Sequence, residues 1–322
     1  VRTKRLGTTD LLVSELGFGA FAIGGNRSGN SYGPTDDAVS VAAIHTALDL
    51  GCTFFDTADV YGYGHSEALL GRALREAGAI DRVVVATKVG GNFESGHTVP
   101  DFSREHILSA VEDSLRRLGR DTVDLYQLHN PSRALIETGE IFDAMETLKA
   151  SGKIRYHGVS IHTAEEGLAC LEDGRASALQ LVYNLFSLLE PDLSPEPVFA
   201  PAMQAGVGLI AREPLSAGFL SGRHDLETRY GEGDNRAHWP EGRRRLLVAL
   251  TNAVRGLARP GVSLTQAALR FVLDEPAIGA TIVGMKTPAQ VRENFAAAEG
   301  PAFEELEAAW SEQASRSAGS GL

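Results

Sequence analysis

The sequence predicts a (β/α)8 TIM barrel, and three observations carry that expectation. Short apolar runs of strand length alternate with amphipathic helical stretches along nearly the whole chain. About eight such strands occur, most followed by a helix, and eight units fit a closed barrel better than an open sheet. The runs lack polar alternation, the pattern of a parallel sheet buried on both faces. No break in composition divides the 322 residues, so 1–322 read as a single barrel domain.

The opening stretch, 2–13, holds Gly7-Thr8-Thr9-Asp10 between apolar positions and reads as an N-terminal hairpin ahead of a first strand at 14–19. A helix follows at 37–50, with Val39, Ala43, Ala47 and Leu50 on one face, caps and negative charge from Thr35, Asp36 and Asp37, and Gly51 as its stop. The second strand is 53–56, the next helix 67–75 and the third strand 82–88. Ser103 caps a helix that aligns Ile107, Val111, Leu115 and Leu118, and the fourth strand is 122–128. One helix is expected over 136–150, a strand at 156–160, a Thr163-capped helix to Leu171 and a strand at 178–182. Then come a short helix at 197–204, a strand at 208–212, helices at 246–258 and 265–273, the last strand at 279–283 and a helix at 288–298. A long polar loop after the seventh strand, 222–245, contains Trp239 and reads as a lid over the mouth. Within it Arg243-Arg244-Arg245 reads first as a solvated helix start. The loop 21–35, with Asn26, Asn30 and Tyr32, is a second candidate wall for substrate, and 315–322 reads as a frayed tail.

With 43% hydrophobic and 22% charged residues the chain is an ordinary globular one, not disordered or fibrous. Its apolar runs are far shorter than the ~20 residues that span a bilayer. A formal charge of −12 argues against bulk binding to nucleic acid or an anionic membrane, yet leaves room for a local basic pocket. Cys52 and Cys170 form no redox or metal motif, which suits a reducing cytoplasm. No His-x-His or His-x-x-x-His pair occurs, so no metal site is expected. The glycines near 17–24 and 62–64 lack the spacing of a dinucleotide fingerprint, which disfavours a Rossmann domain.

In a barrel the chemistry gathers at the carboxyl ends of the strands. Asp56 ends the second, with Tyr61 just beyond; Lys88 ends the third, His129 the fourth, Ser160 the fifth and Arg212 the seventh. Gln180 lies within the sixth and Gly284 follows the eighth. A lysine ammonium beside a tyrosine favours the phenolate and is expected to lower its pKa, while Asp56 supplies the counter-charge. His129 can orient a substrate oxygen. Such a site can protonate a carbonyl oxygen, but none of these groups delivers hydride, so a cofactor must.

These residues resemble the aldo-keto reductase family over nearly the whole chain. Phe55-Asp56-Thr57-Ala58-Asp59-Val60-Tyr61-Gly62, continued by Ser66-Glu67-Ala68-Leu69-Leu70-Gly71, resembles its signature. Thr87-Lys88 resembles its lysine segment and Leu128-His129-Asn130-Pro131 its histidine segment. The resemblance implies a catalytic tetrad of Asp56, Tyr61, Lys88 and His129, with Tyr61 as proton donor, and an extended nicotinamide cofactor laid across the mouth without a Rossmann fold. It places Ser160 and Gln180 at the nicotinamide carboxamide, and His162 where the family often has asparagine. Arg212, before Glu213 and Pro214, takes the place of a stacking tyrosine, and Leu215, Ser216, Gly218 and Leu220 would line the pyrophosphate path. Gly284, Lys286, Gln290, Glu293 and Asn294 resemble the adenosine-phosphate site. Lys286 would pair with a 2′-phosphate, favouring NADPH, with NADH as the alternative. The function implied is reduction of a small aldehyde or ketone; the competing readings are a cofactor-binding regulatory subunit and a metal hydrolase. Substrate identity and oligomeric state stay open at this point.

Overall fold

The computed structural model describes residues 1–25, 31–190 and 194–319. Asn26 and Asn30 of the expected substrate wall, and the end of the expected tail, lie outside them. Eight strands form a closed parallel barrel: β1 Leu16–Gly19, β2 Phe54–Asp56, β3 Val84–Val89, β4 Val123–His129, β5 Ile154–Ser160, β6 Ala178–Val182, β7 Gly208–Arg212 and β8 Ile278–Gly284. Each pairs with the next in sequence, and β8 closes on β1 through Thr281–Leu16 to Gly284–Gly19. The expected hairpin is present, Thr3–Arg5 antiparallel to Leu12–Ser14.

Helices α1 Asp37–Asp49, α2 His65–Glu76, α3 Arg104–Leu118, α4 Arg133–Thr138, α5 Glu140–Ala150, α6 Ala164–Asp173, α7 Phe199–Ala205, α8 Glu241–Val254, α9 Leu264–Leu273, α10 Pro288–Phe295 and α11 Phe303–Gly319 complete the chain. Their starts obey local chemistry. Asp36 and Ser103 accept from the backbone N–H three residues on, and Thr163 with Glu166 and Ser263 with Gln266 form reciprocal capping boxes.

Four expectations change. The helix foreseen at 136–150 breaks at Gly139, whose φ of +74° ends α4 and starts α5. The lid is shorter than 222–245, because α8 begins at Glu241 and takes in Arg243, Arg244 and Arg245. The helix foreseen at 246–258 gives way to a tight turn, Arg255–Leu257. The tail is helical through Gly319, since α11 extends into the segment expected to fray.

Two cores hold the barrel. Inside it, Phe54, Val84, Leu125, Ile210 and Ile282 pack with Leu6, Leu11 and Val13, so the hairpin plugs one end. Outside, the strands' other faces pack against the helices in one continuous cluster that includes Phe18, Phe55, Tyr126, Phe142 and Leu269. Burial of such side chains contributes ~1.5–3 kcal/mol each. With one end plugged, the other is left for the polar strand ends. Among the described residues no helix is long and apolar enough to cross a membrane.

Candidate active site

The open end of the barrel holds a cavity of about 1050 Å³, at the upper limit of the ~300–1,000 Å³ usual for ligand pockets. Asp56, at the end of β2, is buried and ion-pairs with Lys88 of β3. Lys88 is fully buried and also donates to the Thr57 carbonyl at 2.8 Å. Its ammonium lies 5.2 Å from the centre of the Tyr61 ring. Tyr61 stands on a turn that closes with its N–H donated to the Ala58 carbonyl at 3.2 Å. The next residue, Gly62, has a φ of +62°, and a Cβ there would sit 2.1 Å from the Gly24 carbonyl oxygen. Only glycine lets that turn press so close to the segment after β1. His129, at the end of β4, meets the Tyr61 ring edge-on at 5.8 Å, and Phe21 closes the other side at 5.0 Å.

The electrostatics correct one expectation. Burial raises the Tyr61 pKa, and the opposing Lys88 charge does not overcome it, so the phenol keeps its proton. For Lys88, burial alone would lower the pKa, but Asp56 and Tyr61 together leave it raised. Burial, then the charges of Lys88 and Arg212, hold His129 well below its ordinary value, so the imidazole is neutral.

The cavity wall takes in Asp56, Tyr61, His129, His162, Gln180, Arg212, Pro214, Leu215, Gly218, Gly284, Lys286, Gln290, Glu293 and Asn294. It does not take in Lys88, which lies beneath Tyr61, nor Ser160, Ser216 and Leu220. The Ser160 hydroxyl donates to Asn130 Oδ1 at 2.9 Å, and Leu220 is buried in the core. Arg212 donates to Glu213 Oε1 at 2.5 Å and to the Ile161 carbonyl at 3.2 Å, and lies 3.0 Å from His162 Nδ1. Its Nε is buried and has no partner. Beyond it the backbone turns left-handed at Glu213, Ser216, Ala217 and Gly218, the kind of strained segment that clusters at ligand clamps.

Residues the sequence reading passed over also line the cavity, among them Asn130, Arg223, His224, Asn235 and Arg236. Arg236 is held by both oxygens of Asp234 at 2.9 and 2.7 Å and lies 4.7 Å from the Tyr32 ring. Lys286 donates to the Tyr32 carbonyl at 2.6 Å, and Asn235 donates its N–H to the Ser31 carbonyl at 2.9 Å. The segments after β1, β7 and β8 are therefore laced together over one side of the mouth. A charged residue in a Gly- and Asp-rich loop was the available signal for Arg236; Asn130 gave none beyond its place after His129.

A dinucleotide fits these residues. The cavity is large, cations Arg212, Arg223, Arg236 and Lys286 gather in it despite the acidic whole, and the buried Arg212 Nε lacks an acceptor.

The comparisons with known proteins decide the family. Residues 15–312 match the model of the Aldo/keto reductase family. The chain belongs to the aldo/keto reductase family. It is 33% identical over 292 residues to the aldo-keto reductase YhdN of Bacillus subtilis, covering 88% of this chain and 84% of that one. It is 30% identical over 306 residues to the Schizosaccharomyces pombe aldo-keto reductase yakc, whose name carries NADP(+), covering 92% and 86%. The solved glycerol dehydrogenase AKR11B4 from Gluconobacter oxydans superposes with a TM-score of 0.78 at 31% identity, covering 98% of this chain and 95% of that one. This reductase is thus a (β/α)8 barrel and an NAD(P)H-dependent oxidoreductase of carbonyl reduction. The relatives lend no support to the regulatory-subunit reading.

Proposed function

We propose that this chain, acting as one barrel domain in the cytoplasm, reduces a small aldehyde or ketone to the alcohol with NADPH, and that Tyr61 supplies the proton. The observation that carries the reading is the buried Lys88–Asp56 pair beneath Tyr61, with His129 at the edge of the same ring on the cavity wall. When bound, the nicotinamide supplies hydride to the carbonyl carbon. Tyr61, protonated at neutral pH, gives its hydroxyl proton to the carbonyl oxygen. Lys88 stabilises the phenolate left behind, and Asp56 holds Lys88 in place. A neutral His129 has one ring N–H to donate, and it orients the carbonyl oxygen. Gln180, His162 and Arg212 would hold the nicotinamide end, Pro214, Leu215 and Gly218 the pyrophosphate, and Lys286, Gln290, Glu293 and Asn294 the adenosine phosphate.

The test is NADPH consumption by the whole chain against a panel of short aldehydes, sugars, aromatic ketones and steroid ketones. Turnover of at least one carbonyl compound is expected. Tight NADPH binding with no turnover across the panel would overturn the reading.

A further inference from the structure

Gln127, a polar residue within the fourth strand, is fully buried beside the catalytic cluster. It pairs with Lys88 across the β3–β4 register, which turns both side chains to the barrel interior. Its Nε2 donates to Asp56 Oδ2 at 3.0 Å. Gln180 reaches the same oxygen from β6, donating from Nε2 at 2.8 Å, and also donates to Gln127 Oε1 at 3.2 Å. The intervening strand β5 offers Gly158 opposite Gln127, so no side chain separates the two amides.

The directions of these bonds follow from charge. The Asp56 carboxylate accepts and cannot donate, so each amide must turn its NH2 towards it. Gln180 has two amide hydrogens; one goes to Asp56 and the other to Gln127 Oε1. What remains is its carbonyl oxygen, on a residue that lines the cavity. The carboxamide NH2 is the hydrogen-bond donor on a nicotinamide ring, and an acceptor of fixed direction is its complement.

We propose that Gln127 is a positioning residue that locks the Gln180 amide with its carbonyl oxygen facing the cavity, to receive the carboxamide N–H of the nicotinamide. The proposal rests on the cofactor reading above. Without Gln127, one Gln180 hydrogen loses its acceptor and the amide is free to tilt away from the cavity. The Lys88–Asp56 pair thus sets the orientation of a cofactor-binding group as well as supporting Tyr61.

The experiment is a fluorescence titration of the whole chain with NADPH, NADH and reduced 3-acetylpyridine adenine dinucleotide phosphate, which keeps the ring carbonyl and lacks the NH2. Wild type should bind NADPH about three- to tenfold more tightly than the acetylpyridine analogue, the worth of one hydrogen bond. In Gln127→Leu that ratio should fall towards one, while the NADPH-to-NADH ratio, set at the far end of the cavity, stays as in wild type. Gln180→Leu should abolish the first ratio as well, and the double variant should lose nothing further. Gln127→Met is the second variant should the leucine disturb folding, as judged by circular dichroism. A wild-type ratio kept in a folded Gln127 variant, or in Gln180→Leu, would overturn the proposal. Failure of the wild type to bind NADPH at all would instead sink the cofactor reading, and that titration comes first.

Discussion

At the scale of single residues, the site rests on one buried ion pair and three packed rings, Tyr61, Phe21 and His129. Tyr61 is held by ring contacts with Phe21 and His129 that do not need its hydroxyl. Tyr61→Phe should therefore leave the fold and NADPH affinity nearly unchanged while cutting kcat by roughly two orders of magnitude or more, the usual scale for a lost general acid. Steady-state turnover with a good aldehyde, set beside a cofactor titration, checks both halves; full activity in the Phe variant would remove Tyr61 from the mechanism. His129 makes a second prediction. Its pKa lies well below the ordinary histidine value of 6.5 because of burial and the charges of Lys88 and Arg212. A depressed base takes up its proton only at correspondingly lower pH. The plot of kcat/KM against pH should thus show no inflection near 6.5, and any loss should begin further into acid. An inflection at 6.5 that vanishes in His129→Gln would contradict this assignment.

At the scale of elements, the sequence made the strands and their order plain because each is a short apolar run and most are followed by an amphipathic helix. It hid whatever depends on the barrel being closed. Gln127 looks like one polar residue in an apolar strand until the register sets it beside Lys88 and across from Gln180. Lys286 was legible as a cation after β8, but its tie to the carbonyl of Tyr32, 254 residues away in sequence, was not. The split at Gly139 was missed because the apolar spacing continues through it. That tie shapes the prediction for Lys286→Ala. A charge-assisted bond to a 2′-phosphate contributes ~1.5–3 kcal/mol, so NADPH should bind about tenfold more weakly or somewhat worse. NADH should change little, and the difference should shrink as salt is raised. Titrating both cofactors separates two roles for the side chain. Equal weakening of both would assign Lys286 to holding the laced loops rather than to reading the phosphate.

At the scale of the whole molecule, an acidic protein gathers a few of its cations at the cavity and keeps several histidines in places that disfavour charge. The overall charge of −12 repels an anionic cofactor; on the cavity wall Arg212, Arg223 and Arg236 are ion-paired with Glu213, Glu293 and Asp234, while Lys286 is held by backbone carbonyls and keeps its charge to offset that repulsion locally. His129, His157, His162 and His224 all have lowered pKa values, in each case from burial first. Unfolded, they titrate near 6.5. Below that value the unfolded chain binds protons that the folded chain refuses, so stability rises with pH across the window and falls as pH drops through it. His157, whose side chain is fully buried, weighs most, up to ~1.4 kcal/mol per pH unit while it stays neutral; His129 on the cavity wall, half-buried His224 and exposed His162 weigh less because solvent screens them. Asp59 runs the other way. Burial, then Glu67, raises its pKa, so the folded chain holds a proton that stabilises it in acid and is lost as pH rises through the raised value. One such acid opposes several histidines, and the histidines should prevail between about pH 5 and 6.5. Urea midpoints should therefore fall from about pH 7.5 to about pH 5. His157→Gln should make that fall shallower by removing one titrating group, while the Glu146 carboxylate it contacts at 2.7 Å keeps an amide donor. A midpoint that stays level or climbs on acidification would mean that protonated acids such as Asp59, and not neutral histidines, govern the acid stability of this barrel.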